Sequence, residues 1–135
     1  QTMASFGIGG VTETSPLPAL EAAADALRAA MPEGLEMWLR RLPKIWKSGS
    51  LACVHAAADP ALPLTEQSRH TLLWGHSDFF NVPRSDGLWV AHGHTALPSP
   101  RFEQSRISLD TGAYVSGMLS AARVLPDGTV TFLWT

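Results

Sequence analysis

The hydrophobic period of this chain changes once, near Leu51, and that change limits what it can fold into. Before it, apolar residues recur at helical spacing: Leu20, Ala24, Leu27 and Met31 make one stripe, and Leu35, Trp38, Leu39 and Leu42 make another. Ser15-Pro16 supplies a helix start, since serine can cap free amides and proline suits the first turn. Pro32-Glu33 restarts a second helix with Leu35, Trp38, Leu39 and Leu42 on its buried face and Glu36, Arg40 and Arg41 outside; Pro43 stops it. The opening stretch QTMASFGIGGVT reads as a loop. After the change, the apolar runs are short: LACVHA, Leu88 to Ala91, and Arg106 to Leu109 read as strands. Thr65 can cap a helix running to Trp74, GHSDFFNVPRSDG is irregular, and the tail is a hairpin turning at Pro126-Asp127-Gly128. Helices first and strands afterwards, with no internal repeat, predict an α+β fold with a mostly antiparallel or mixed sheet.

Bulk properties exclude several functions. The 135 residues make one domain's worth of chain, 45 % apolar and 16 % charged, a globular composition. A net charge of −2 leaves no electrostatic footprint for a nucleic acid polymer or an anionic membrane. No apolar run approaches the roughly 18 residues of a membrane span, and no signal peptide is visible. The single cysteine, Cys53, excludes an internal disulfide and fits a reducing, cytoplasmic compartment.

The chemistry gathers around histidine. Of five, His70 lies in a helical stretch and reads as a surface residue. His55 closes one strand, with Cys53 two residues earlier on the same face. In WVAHGHT, His92 and His94 close another, and Gly93 between them favours a bend that aims His94 out of the strand end. Buried imidazoles are costly unless ligated or hydrogen-bonded. Two readings stay open on the residues alone. The rings are hydrogen-bonded core or loop histidines, or Cys53, His55, His92 and His94 form a tetrahedral zinc site in a non-catalytic binding or interaction module. The ligand types suit zinc, but neither pair has the usual tight-turn spacing.

Four blocks in order, CVHAAADP, LLWGHSDF, WVAHGHT and RISLDTGAYVSGMLSAARV, resemble the calcineurin-type metallophosphoesterases. The resemblance is to the bacterial serine/threonine protein phosphatase branch, with the symmetrical dinucleoside tetraphosphatases nearby. It runs from about Lys47 to Trp134, which implies a division into a helical insertion (1–46) and a second β-sheet with metal-binding loops (47–135). It implies that His55 and His94 ligate one metal of a centre of two divalent ions (Mn, Fe or Zn), with His92 behind them. It also implies that Tyr114 closes over a substrate phosphate, and that the substrate is a phosphorylated protein or a nucleotide attacked in line by a metal-activated water. Two positions depart from the pattern. Ala57 stands where a glycine is usual, and His76 stands where an arginine commonly binds phosphate. His76 is a poorer anion clamp than arginine's fork, so Arg84, Arg101 and Arg106 become candidates for that task.

The same resemblance implies what these residues lack. The Asp-x-His, Gly-Asp-x-x-Asp-Arg and Gly-Asn-His-Glu motifs that hold two ions roughly 3.5 to 4 Å apart do not occur here. The chain therefore reads as the C-terminal half of a four-layer α/β/β/α sandwich, inactive by itself. Its inner sheet face, with Val54, Val90, Ile107 and Val124, is expected to lie uncovered and to drive self-association or pairing with an N-terminal half.

Overall fold

The computed structural model describes residues 2–135, and the chain divides into two compact units, one ending at Leu42 and one spanning Pro43–Thr135. The first unit is helical. One turn, α1 (Thr2–Ser5), stands where the opening residues suggested only a loop. In α2 (Leu17–Ala30) the stripe Leu20, Ala24 and Leu27 is half-buried, as its spacing predicts, and so is Met31, which caps the helix in an extended conformation. Its start differs from expectation: the Ser15 hydroxyl turns back to accept from the Thr12 N–H at 2.8 Å and caps no helical amide. Pro16 holds the boundary, and a proline lies within the first turn. The expected burial of α3 (Leu35–Arg41) does not occur. Leu35 is half-buried, whereas Trp38, Leu39 and Leu42 are 56 %, 46 % and 38 % exposed. The reason is that this unit has little interior, Ala23 being its only buried residue among those described. Glu36 and Arg40 pair at 2.6 Å across one turn.

The second unit is built on one mixed sheet of β1 (Ile45–Ser48), β2 (Leu51–Val54), β3 (Trp89–His92), β4 (Arg101–Glu103) and β5 (Arg106–Ser108), in the order β1-β2-β3-β5-β4. The central strands β2, β3 and β5 run parallel, and β1 and β4 flank them antiparallel. Parallel strands are covered on both faces, and this accounts for the short, unalternating apolar runs in the sequence. Cys53, Ala91 and Ile107 share one row across the strands, while Ala52, Val90 and Arg106 share the next and point oppositely. Phe79, Ala57 and Ala58 pack on Val90, with Val54 and Leu64 at the margin. On the other face the Trp89 ring lies 4.6 Å from that of Phe102.

Val90 and Ile107 do not share a face as expected but point oppositely, and at 1 % and 0 % exposure neither lies uncovered; Val54 and Val124 are half-buried. The chain supplies its own cover. Phe79, from the irregular GHSDFF stretch, packs on Val90.

A separate two-stranded sheet, β6 (Ser120–Val124) and β7 (Val130–Trp134), is the expected hairpin. Gly128 takes φ +87° and donates to the Leu125 carbonyl, while the Asp127 carboxylate accepts from the Thr129 N–H at 2.9 Å. The turn meets the large sheet at Trp89, whose ring lies 3.4 Å from where a Gly128 side chain would begin.

The helix expected from Thr65 begins later. Leu64–Glu66 is a single 3₁₀ turn, and α4 (Arg69–Trp74) is capped by Ser68, whose hydroxyl accepts from the Thr71 N–H at 3.0 Å. Gln67 is responsible. Its side-chain amide bonds the Asp59 N–H, the Asp59 carbonyl and the Leu62 carbonyl, tying this stretch to the preceding loop. One last turn, α5 (Ala113–Ser116), precedes the hairpin. Among the described residues no helix is long and apolar enough to cross a membrane.

Candidate metal centre

Because β2, β3 and β5 are parallel neighbours, their C-terminal ends open on one edge of the sheet, the position where ligands settle in such sheets. His55 follows the last residue of β2, and His94 lies two residues beyond β3. The Gly93 N–H donates to the His55 carbonyl at 2.9 Å, so one hydrogen bond joins the two segments. Their imidazoles meet edge to face, centroids 5.2 Å apart and planes at 65°. The Trp74 ring stands 6.0 Å from His94, and both histidines are exposed. They border a cleft of about 400 Å³ whose other walls include Cys53, Leu109, Asp110 and Leu119.

Asp110 is the residue that sequence reasoning passed over. It lies two residues past β5, so the third parallel strand also delivers a polar group to this edge. One carboxylate oxygen accepts from the Gly112 N–H at 2.9 Å, and its main-chain oxygen accepts from the Leu97 N–H at 2.8 Å, which anchors the loop after His94. The signal was present, an aspartate directly after a strand in Ile107-Ser108-Leu109-Asp110.

His92 behaves differently from its neighbour. It is buried, with Nε2 at 2.8 Å from the Ser108 hydroxyl and Nδ1 at 3.1 Å from the Gly93 carbonyl. The rings of Phe79 and Phe80 stand edge-on at 4.8 and 5.4 Å. Burial in this apolar cradle lowers its pKa below the usual imidazole value. The four-residue zinc site is accordingly not formed. His92 lies in the row facing Phe79, while Cys53 lies in the row beside Ala91 on the opposite face, and burial raises the Cys53 pKa, opposing the thiolate that zinc needs. Among the described residues no three of His, Cys, Asp or Glu are grouped to hold an ion.

The remaining candidates are dispersed. His76 Nδ1 accepts from the Asp78 N–H at 3.2 Å, and its Nε2 lies 3.5 Å from the Asp59 carboxylate, outside the cleft lining. Tyr114 is 75 % exposed on α5, one residue beyond the cleft wall at Ala113. The arginines are engaged elsewhere. Arg84 bonds the Asp59 and Leu62 carbonyls and the Asp86 carboxylate, and Arg106 donates to the Val82 and Gln104 carbonyls over the Phe79 ring. Arg101 lies 3.5 Å from Glu103. Ala57 is buried against Phe79 and Val90 as part of the core.

Chemically, two imidazoles on adjacent strand ends suit part of a divalent-metal coordination sphere, since imidazole nitrogen is a common ligand for such ions. Two exposed rings hold an ion only together with further donors.

Among solved structures the chain is similar to the crystal structure of a "putative diadenosine tetraphosphatase", with a TM-score of 0.61 at 20 % identity over 84 % of this chain. It spans 60 % of that protein's length. At this identity the likeness shows the fold alone: a mixed α+β arrangement like part of that structure. No protein-family model and no curated protein matches the chain.

Proposed function

We propose that this chain forms one side of the active centre of a metal-dependent phosphoester hydrolase, with His55 and His94 as ligands to one of two divalent ions. The observation that carries the reading is the meeting of these two rings, 5.2 Å apart, at the C-terminal ends of two parallel strands. The blocks containing them resemble the metal-binding segments of serine/threonine protein phosphatases. When bound, such ions polarise a phosphoryl oxygen and lower the pKa of a bound water. This chain's residues would hold and orient the ion. Carboxylates from polypeptide beyond these 135 residues, or from a partner chain, complete the sphere.

The test is Mn²⁺-dependent hydrolysis of p-nitrophenyl phosphate by a polypeptide joining this chain to a segment bearing those carboxylates. His55→Ala and His94→Ala are each expected to lower kcat/KM by at least the roughly 10–100-fold that losing a ligand's supporting partner costs, and the 135-residue chain alone to be inactive. Full activity in both variants would remove the ligand assignments. A second reading, a symmetrical dinucleoside tetraphosphatase, is favoured by the description of the structurally similar protein. Turnover of diadenosine tetraphosphate against that of a phosphoserine peptide separates the two.

A further inference from the structure

His94 sits at φ +66°, and the Thr95 N–H donates to the Gly93 carbonyl at 2.8 Å. That is a three-residue γ-turn centred on His94, in the rare, strained form with positive φ. A backbone of this kind persists only where its surroundings over-determine it. Two contacts at Gly93 do so. Its N–H is committed to the His55 carbonyl at 2.9 Å, and its oxygen also faces His92 Nδ1 at 3.1 Å. A carbonyl oxygen offers only lone pairs, so the nitrogen facing it must carry hydrogen. The opposite nitrogen, Nε2, then accepts from the Ser108 hydroxyl at 2.8 Å. The ring cannot turn away, because it is 3 % exposed and wedged against Phe79 and Phe80.

We propose that His92 is a positioning residue for His94: its Nδ1–H and the Thr95 N–H converge on the Gly93 carbonyl and lock the γ-turn from which the His94 ring projects toward His55. The chain thus uses one histidine to aim another, with Ser108 setting the tautomer of the first. Its relevance to metal binding rests on the ligand role given to His94 above, but its geometry does not.

Long-range ¹H–¹⁵N spectra of the 135-residue chain are expected to show His92 protonated at Nδ1 and bare at Nε2. The opposite tautomer overturns the proposal without any variant. His92→Asn keeps a donor where Nδ1 sits, whereas His92→Gln puts carbon there while still reaching Ser108. In His92→Gln the Thr95 amide should exchange about three- to tenfold faster, the equivalent of one ordinary hydrogen bond. The amides of Ala52 and Ile107 should keep their rates, and His92→Asn should restore that of Thr95. Uniform acceleration across the sheet, or an unchanged Thr95 rate, marks His92 as mere core filling and overturns the idea. The Mn²⁺-dependent hydrolysis assay above judges the ligand reading separately. If His55→Ala and His94→Ala both keep full activity there, that reading falls, while the tautomer and the Thr95 rate still decide the clamp.

Discussion

His94 costs the fold something that a glycine would not. At φ +66° a side chain crowds its own backbone, a strain on the order of 1 kcal/mol that glycine avoids, partly offset by glycine's freer unfolded chain. His94→Gly is therefore expected to leave stability unchanged or raise it by up to about 1 kcal/mol, and His94→Ala, which keeps a Cβ, to give no such gain. Thermal melts in chelator check this, and a large destabilisation by His94→Gly would mean that the ring itself supports the fold. At this scale the sequence was informative about residue types and silent about their direction. His-Gly-His marked a bend, but nothing in the letters says that His92 turns inward to Ser108 while His94 turns out to His55. Asp110 escaped notice because its place in the cleft depends on β5 lying beside β3, a long-range pairing. His76 and the arginines drew attention by chemistry, but Arg84 and Arg106 are held by distant carbonyls, and His76 and Arg101 by near neighbours in sequence.

Among the elements, the start of α4 shows how local signals compete. Thr65 and Ser68 are both able to cap, and the hydrogen bond from the Thr71 N–H goes to Ser68. Ser68→Ala should cost about 1 kcal/mol, whereas Thr65→Ala, ahead of a single 3₁₀ turn, should change the melting temperature little. The reverse ranking would place the helix start at Thr65. The central strands and the final hairpin were legible because they carry strong apolar runs or a glycine turn. β1 and β4 were not. IWKS and RFE are short and mostly exposed, and the turn from β4 into β5 takes positive φ at Gln104 and Ser105 with no glycine to announce it. Edge strands draw their order from the neighbour they pair with, and that neighbour is invisible in a local window.

The whole chain carries more apolar surface than it covers. In the second unit Trp46, Trp74, Leu119, Leu133 and Trp134 are each more than half exposed, although Val90 and Ile107 are sealed. Burying a large apolar side chain contributes roughly 1.5–3 kcal/mol, so these five offer about 7–15 kcal/mol before the roughly 4–15 kcal/mol that association costs. The two ranges nearly cancel. Any self-association should therefore be weak and concentration-dependent. Sedimentation velocity across a wide concentration range should show a shift from monomer toward dimer, and Leu119→Ser with Trp134→Ser should abolish it. If the unmodified chain sediments as one monomer at every concentration, its exposed indoles are ordinary surface, and the case for a covering partner loses its physical ground.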